Sequence, residues 1–236
     1  MTTQKKPDRL ALVTGGNRGL GYALCKQMAY EGFTVLLTAR NLADAQEAAA
    51  TLKSVGEVYA YQLDVTEAES IKRLGMRLIE EYGRLDVLIN NAGTLYDTWE
   101  HASVADMAVV RRAFETNALG AWQMINAFAG LLNQGVHPRV VNVSSEAGSI
   151  AGMRPDTPAY NVSKAALNAI TVMLAEDFRR TRILINAVCP GWIATDMGGT
   201  AGAPVERGVE SVMWAVHLPD DGPRGGFFRH GKRLPW

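Results

Sequence analysis

Tyr160 and Lys164 lie four residues apart in Tyr160-Asn-Val-Ser-Lys164. On a helix this spacing puts both side chains on one face. A phenol with its ordinary pKa of about 10 exchanges protons poorly near neutrality. A neighbouring ammonium favours the phenolate and lowers that value. Such a pair can hand a proton to an oxygen that is gaining negative charge. Ser144 and Ser145 end an apolar run at 139–143. A hydroxyl there can donate to the same oxygen, and Ser145 is the stronger candidate of the two. Each pattern alone is common on ordinary protein surfaces, so the reading rests on their combination with a second constellation.

That constellation would bind a cofactor. Residues 10–14, Leu-Ala-Leu-Val-Thr, run straight into Gly15-Gly16-Asn17-Arg18-Gly19-Leu20-Gly21, and a helical pattern follows. Glycines let the backbone turn tightly and approach a diphosphate, while N–H groups at the helix start face the anion. Gly15, Asn17, Arg18, Gly19 and Leu20 are therefore candidate cofactor contacts. The spacing is Gly-x-x-x-Gly-x-Gly, not the Gly-x-Gly-x-x-Gly of the standard dinucleotide fingerprint. The second apolar run ends Leu37-Thr38-Ala39-Arg40-Asn41, with no acid to hold a ribose 2′-hydroxyl. Arg40 lies 19 positions after Gly21 (40 − 21), near the place where an NADP protein accepts the 2′-phosphate with arginine. Arg18 can take the other side of that phosphate, and two guanidiniums suit a dianion. NADP(H) is expected over NAD(H).

The elements that must hold these residues alternate along the chain. Short apolar runs at 10–14, 33–38, 58–63, 86–89, 139–143 and 183–188 read as strands, and 226–228 as a further one. Helical patterns fill 20–30, 42–54, 159–180 and about 205–217. Thr66 and Glu69 have capping-box spacing and predict a helix running to about Tyr82. Ser103 and Asp106 open one long helical stretch that ends near Gln134. The expected fold is α/β: a doubly wound, Rossmann-type parallel sheet of about seven strands with helices on both faces. The Pro- and Gly-rich stretches 190–204 and 219–226 read as loops. One domain is expected over 1–236, with 1–8 a flexible polar N-terminus.

Composition excludes several classes. Lys plus Arg equals Asp plus Glu, 24 of each, so overall charge suggests neither nucleic acid nor membrane surface as a partner. The two cysteines, Cys25 and Cys189, suggest no disulfide framework. No leader-like segment and no membrane span are read, and a cytoplasmic protein is expected. The four histidines are scattered at 101, 137, 217 and 230, so no catalytic metal is expected. Ser145 lacks a nucleophile-elbow sequence.

Seven short motifs in order now resemble the classical short-chain dehydrogenase/reductase family over nearly the whole chain. They are Thr14–Gly21, Leu63-Asp64-Val65, Asn90-Asn91-Ala92-Gly93, Asn117, Val143-Ser144-Ser145, Tyr160-x-x-x-Lys164 and Pro190-Gly191-x-x-x-Thr195. Within the family, Thr14–Gly21, Leu37-Thr38-Ala39-Arg40-Asn41 and Pro190-Gly191-Trp192-Ile193-Ala194-Thr195-Asp196-Met197 are similar to the NADPH-dependent carbonyl-reductase group, and the C-terminal Gly225–Trp236 segment resembles that of plant and bacterial members. The resemblance implies hydride transfer between NADPH and a small carbonyl compound, with Tyr160 as proton donor. Lys164 would also bind the nicotinamide ribose, Ser145 would hold the substrate oxygen, and Asn117 would hold a proton-relaying water. Asp64 and Val65 would contact adenine, and Asn91, Ala92 and Gly93 the adenosine ribose. Pro190, Gly191, Ile193 and Thr195 would border the nicotinamide.

Other readings stay open from sequence. Trp192, Met197, Leu95, Tyr96 and Met153 are candidates for the substrate wall, each equally placed for the core. Cys189 reads as an inert buried thiol. Ser145 precedes Tyr160 by fifteen positions (160 − 145), two more than the usual family interval. The much longer insertion that accompanies the monomeric animal carbonyl reductases is missing there, so the resemblance implies a homodimer or homotetramer. A dedicated biosynthetic ketoreductase is not separable from a broad carbonyl reductase. The alternative outside catalysis is an NADPH-binding redox sensor without turnover.

Overall fold

The computed structural model describes residues 8–94, 97–195 and 199–236. The expected N-terminal tail, Leu95, Tyr96 and Met197 therefore lie wholly or mostly outside the described residues. Strands β1 (Leu10–Val13), β2 (Thr34–Ala39), β3 (Val58–Gln62), β4 (Val87–Asn90), β5 (Arg139–Val143), β6 (Leu184–Val188), β7 (Phe227–Arg229) and β8 (Lys232–Arg233) form one sheet in the order 3-2-1-4-5-6-7-8. The first seven pair in parallel and β8 returns antiparallel on β7. The first seven match the expected parallel sheet of about seven strands, and β8 is a short antiparallel addition. It is two exposed residues beyond a tight turn at His230–Gly231, too short to show an apolar period.

Helices are α1 (Gly19–Tyr30), α2 (Leu42–Leu52), α3 (Ala68–Glu81), α4 (Met107–Phe114), α5 (Gly120–Asn133), α6 (Pro158–Asp177) and α7 (Val205–Val216). Strand residues alternate between two cores because successive side chains point to opposite faces. Ala11, Val13, Val35 and Leu37 pack with Leu24 and Met28 of α1 and Val212 of α7. Leu10, Leu12, Leu36 and Leu88 pack with Leu78 of α3, Phe128 of α5 and Ile170 of α6. The sheet is thus covered on both faces, which is why its strands read as continuous apolar runs. No described helix is long and apolar enough to cross a membrane.

Two local expectations are corrected. The Thr66/Glu69 capping box does not form. Helix α3 starts at Ala68, its preceding Glu67 gives no side-chain cap, and Thr66 instead donates its hydroxyl to Asp64 Oδ1 at 2.7 Å. Asp64 competes successfully because it accepts both the backbone N–H and the hydroxyl of Thr66. The long helix from Asp106 is also interrupted. Asp106 does cap it, accepting from Ala108 N at 2.7 Å, but residues Glu115–Leu119 widen into a π turn between α4 and α5. Asn117 sits in that turn, and such bulges frequently mark functional positions.

Strand order reverses between β1 and β4, which leave the sheet in opposite directions of connection. In open α/β sheets the crevice at the carboxyl ends of such neighbours binds ligands. The loops after β1, β4, β5 and β6 all open there.

Candidate active site

Strand β1 ends at a glycine turn whose shape is set by backbone geometry. Gly15 and Gly19 have φ of +63° and +53°, conformations that side chains disfavour. Gly21 is required for space: a Cβ there would lie 2.1 Å from the Gly15 carbonyl oxygen and 2.5 Å from Asn91 Nδ2. The turn is tied to the loop after β4. Thr14 Oγ1 accepts from the Asn91 and Ala92 N–H groups at 3.0 and 2.9 Å, and Asn91 Nδ2 donates to the Thr14 and Gly15 carbonyls. Arg18, at the N-cap of α1, gives no side-chain cap. A glycine turn pulled this close to a helix start fits the diphosphate of a dinucleotide. Gly21→Ala should cost about 2–3 kcal/mol of stability by overpacking. Thermal melting of the purified variant checks it, and a melt equal to that of the parent would contradict the tight turn.

A cleft of about 910 Å³ extends from this turn. It is lined by Arg18, Arg40, Asp64 and Val65, by Asn91, Ala92 and Gly93, and by Ser145, Tyr160, Lys164, Pro190, Gly191, Ile193 and Thr195. Gly15, Asn17, Gly19 and Leu20 also line it. Every described residue expected to contact the cofactor therefore meets at one cavity, although these come from segments as distant as the loops after β1 and β6. Asp64 forms a turn with Thr66 and also lines the cleft. Asn91 faces the cleft too, but its amide nitrogen is spent on the glycine turn.

Helix α6 carries Tyr160 and Lys164 into the cleft. Lys164 is 4% exposed, and its Nζ donates to the Val143 carbonyl at 2.7 Å and lies 5.7 Å from the Tyr160 ring centroid. Burial pulls its pKa down from 10.5 to about 8, with Cys189 opposing. Ser144 and Ser145 are now distinguishable. Ser144 Oγ is buried and donates to Asn168 Oδ1 at 2.6 Å. Ser145 accepts only a long bond from Ala147 N at 3.2 Å, so its hydroxyl proton remains available to a ligand. Gly148 allows the loop to seat on α6, since a Cβ there would come within 2.6 Å of the Lys164 carbonyl carbon. The long interval between Ser145 and Tyr160 is taken up by two short 3-10 turns, Glu146–Gly148 and Ile150–Gly152.

Asn117 is 1% exposed; its Nδ2 donates to Thr94 O and Ser163 Oγ, and its Oδ1 accepts from Thr94 N. Ser163 Oγ in turn donates to the Tyr160 carbonyl at 2.8 Å. The π turn is thereby fastened to the helix that bears the tyrosine. Ser163 and Asn168 were not singled out from sequence, and Thr14 was named only as the first residue of the glycine motif. A signal for Asn168 was present: Tyr160, Lys164 and Asn168 recur every four residues, a polar stripe on the sheet side of a helix. Glu146, paired with Arg229 beside the cleft, carried no such pattern.

Of the residues expected at the substrate wall or in the core, Trp192 lines the cleft and is 65% exposed, so it is not core. Met153 is exposed and belongs to neither the core nor the lining of this cleft. It sits beyond the second 3-10 turn, which carries it away. Leu95, Tyr96 and Met197 fall outside the described residues. Cys189 lines the cleft as a buried thiol, pushed up by burial, which makes it a poor nucleophile. Among the described residues no cluster of three His, Cys, Asp or Glu side chains could hold a metal.

A doubly wound sheet with a glycine-turned strand–helix junction at its switch point defines a dinucleotide-binding class of protein. The chain belongs to the short chain dehydrogenase family, whose profile matches residues 9–205; it is an oxidoreductase of that family. Curated relatives include a carbonyl reductase (NADPH) of Sus scrofa, 32% identical over 280 aligned positions covering 97% of this chain and 94% of the relative. A (+)-neomenthol dehydrogenase of Arabidopsis thaliana is 32% identical over 288 positions, covering 95% and 97%. Both alignments exceed the 236 residues of this chain, so both relatives carry inserted segments. Among solved structures, NADPH-bound carbonyl reductase from chicken fatty liver superposes with a TM-score of 0.87 at 28% identity, covering 97% of this chain and 99% of that one.

Proposed function

We propose that this protein reduces a ketone or aldehyde with NADPH, Tyr160 supplying the proton. The observation that carries the reading is convergence: Tyr160, Lys164 and Ser145 line the same cleft as Arg18 and Arg40. NADPH, when bound, supplies the hydride that reaches the carbonyl carbon. Ser145 and Tyr160 hold the carbonyl oxygen by hydrogen bonds, and these strengthen as the oxygen becomes an alkoxide. Tyr160 then gives its proton to that oxygen. Lys164 keeps its charge beside the phenol and favours the phenolate that remains. Asn117 and Ser163 hold the tyrosine-bearing helix against the π turn. Alcohol oxidation is the same path reversed.

Arg18 and Arg40 favour NADPH over NADH through the 2′-phosphate. The NADPH in the names of the pig and chicken reductases supports the same preference. Arg40→Leu should raise KM for NADPH by about 10- to 100-fold, the worth of one lost charge-assisted hydrogen bond. It should leave KM for NADH little changed. Initial rates with the two cofactors measure this, and equal effects on both would reject the assignment of Arg40. The exposed indole of Trp192 in the cleft lining suits an uncharged, moderately apolar substrate.

The test of the whole reading follows NADPH consumption against a panel of aldehydes, ketones, diketones and quinones. Turnover with NADPH is expected. Tight NADPH binding with no turnover across the panel would favour a sensor and sink the proposal.

A further inference from the structure

Helix α6 begins without a cap of its own. Thr157 occupies the N-cap position but lies in the left-handed region at φ 52°, and its hydroxyl donates to Asn161 Oδ1. Pro158 follows at the first helical position and has no N–H. Asn161 N already bonds to Thr157 O in the helical pattern. That leaves the N–H groups of Ala159 and Tyr160 as the orphan donors of this helix start. Both are accepted by one side chain from elsewhere in the chain. Asp97 Oδ2 accepts from Ala159 N at 2.9 Å, and Asp97 Oδ1 accepts from Tyr160 N at 3.1 Å. Asp97 is 0% exposed. These two N–H groups occupy the positions that an ordinary N-cap side chain would serve.

The contact is part of a wider clamp. Ala102 N donates to Pro155 O at 2.9 Å, and His101 pairs with Asp156 in an isolated antiparallel bridge. Asn161 Nδ2 holds the Arg154 and Asp156 carbonyls from the other side. The segment after β4 therefore grips the loop that leads into α6, and the carboxylate of Asp97 is its inner end. A carboxylate at a helix start also suits the positive end of the helix dipole.

We propose that Asp97 is a positioning residue for the reaction: it caps α6 from across the fold and so sets the depth of Tyr160 in the cleft. The inference rests on Tyr160 being the proton donor. Without the carboxylate the first turn has no acceptor for the Ala159 and Tyr160 N–H groups and would fray or shift at the residue that bears the phenol. Displacement of a reacting group by a fraction of an ångström to one ångström lowers rate more than it lowers binding.

The experiment compares Asp97→Asn, Asp97→Ala, Tyr160→Phe and the double variant Asp97→Asn/Tyr160→Phe. Readouts are kcat and KM for the carbonyl, together with NADPH affinity from protein fluorescence. Asp97→Asn keeps one acceptor oxygen and should fold, with kcat lowered about 10-fold and NADPH affinity at the parental level. Asp97→Ala should lower kcat further, so that Asn is a partial rescue. In the Tyr160→Phe background, Asp97→Asn should add little to the loss, because the group it positions is gone. Parental kcat in Asp97→Asn, with Tyr160→Phe inactive, would overturn this inference and leave the donor reading standing. A fall in NADPH affinity in step with kcat, or equal losses in both backgrounds, would show a merely structural role and overturn it as well. Full turnover by Tyr160→Phe would overturn the donor reading and this inference together.

Discussion

Tyr160→Phe should lower kcat for carbonyl reduction by about 10²- to 10⁴-fold, the usual worth of a positioned proton donor. The phenyl ring keeps the shape of the side chain and removes only the hydroxyl. Helix α6 is held by contacts that do not use that hydroxyl: Asp97 on the backbone N–H groups, Ser163 on the Tyr160 carbonyl, and Lys164 on Val143. NADPH affinity should therefore change by no more than about twofold, and kcat should fall far more than KM for the carbonyl rises, as for an interaction that strengthens in the transition state. Stopped-flow or steady-state absorbance at the nicotinamide band, paired with a fluorescence titration, separates the two quantities. A variant that binds NADPH normally and still turns over at the parental rate would remove Tyr160 from the chemistry.

Lys164→Met should combine loss of turnover with a gain in stability. The side chain is buried, and burial lowers its pKa from 10.5 to about 8. Near neutral pH the folded protein thus carries a buried charge that the unfolded chain would leave in water. The gap between 10.5 and about 8 corresponds to about 3 kcal/mol of destabilisation at pH 7. Methionine has similar length and no charge, but it abandons the Val143 carbonyl, a loss of about 1 kcal/mol. A net gain of about 2 kcal/mol is expected, or about 4–8 °C in Tm for a chain of this size. The pH dependence follows from proton counting. Between about 8 and 10.5 the unfolded state binds this proton and the folded state does not. Stability of the parent should therefore rise with pH across that window relative to Lys164→Met, and the advantage of the variant should vanish by its upper end. Melts in parallel from pH 7 to 10 would show it. A variant less stable than the parent at pH 7 would mean that the ammonium stabilises the apo fold. Turnover should fall about 10²- to 10⁴-fold, as for other groups that govern proton transfer. A residue that costs stability and gains function is the trade expected at an active site.

Both predictions concern residues that were visible before any fold was known. Tyr160 and Lys164 have helical spacing, and helical spacing is local: 3.6 residues per turn puts them together whatever surrounds the helix. The strand ends, the glycine turn and Arg40 were legible for a similar reason. Fully covered parallel strands must be short and apolar, and a backbone turn with positive φ at Gly15 and Gly19 excludes most other residues. Covalent proximity and steric rules write such features directly into the order of residues.

Failures arose where two local preferences competed or where a partner lay far along the chain. Thr66 and Glu69 had the spacing of a capping box, but Asp64, two residues before Thr66, took the hydroxyl first. The π turn around Asn117 follows from packing rather than propensity: Gly120 lies against Val65, with space for no Cβ. Ser144 and Ser145 are adjacent and chemically identical, and only Asn168, on another element, distinguishes them by engaging the first. Asp97 lies 63 positions from Tyr160, and its role depends on the fold bringing the segment after β4 over the start of α6. The sequence by itself thus determined the alternation of elements, the cofactor turn and the residues with chemical capacity, because those depend on neighbours within a few positions. The tertiary structure alone decided which serine is available, what caps the tyrosine helix and how far Lys164 is dried, because burial and long-range hydrogen bonds exist only once distant segments have met.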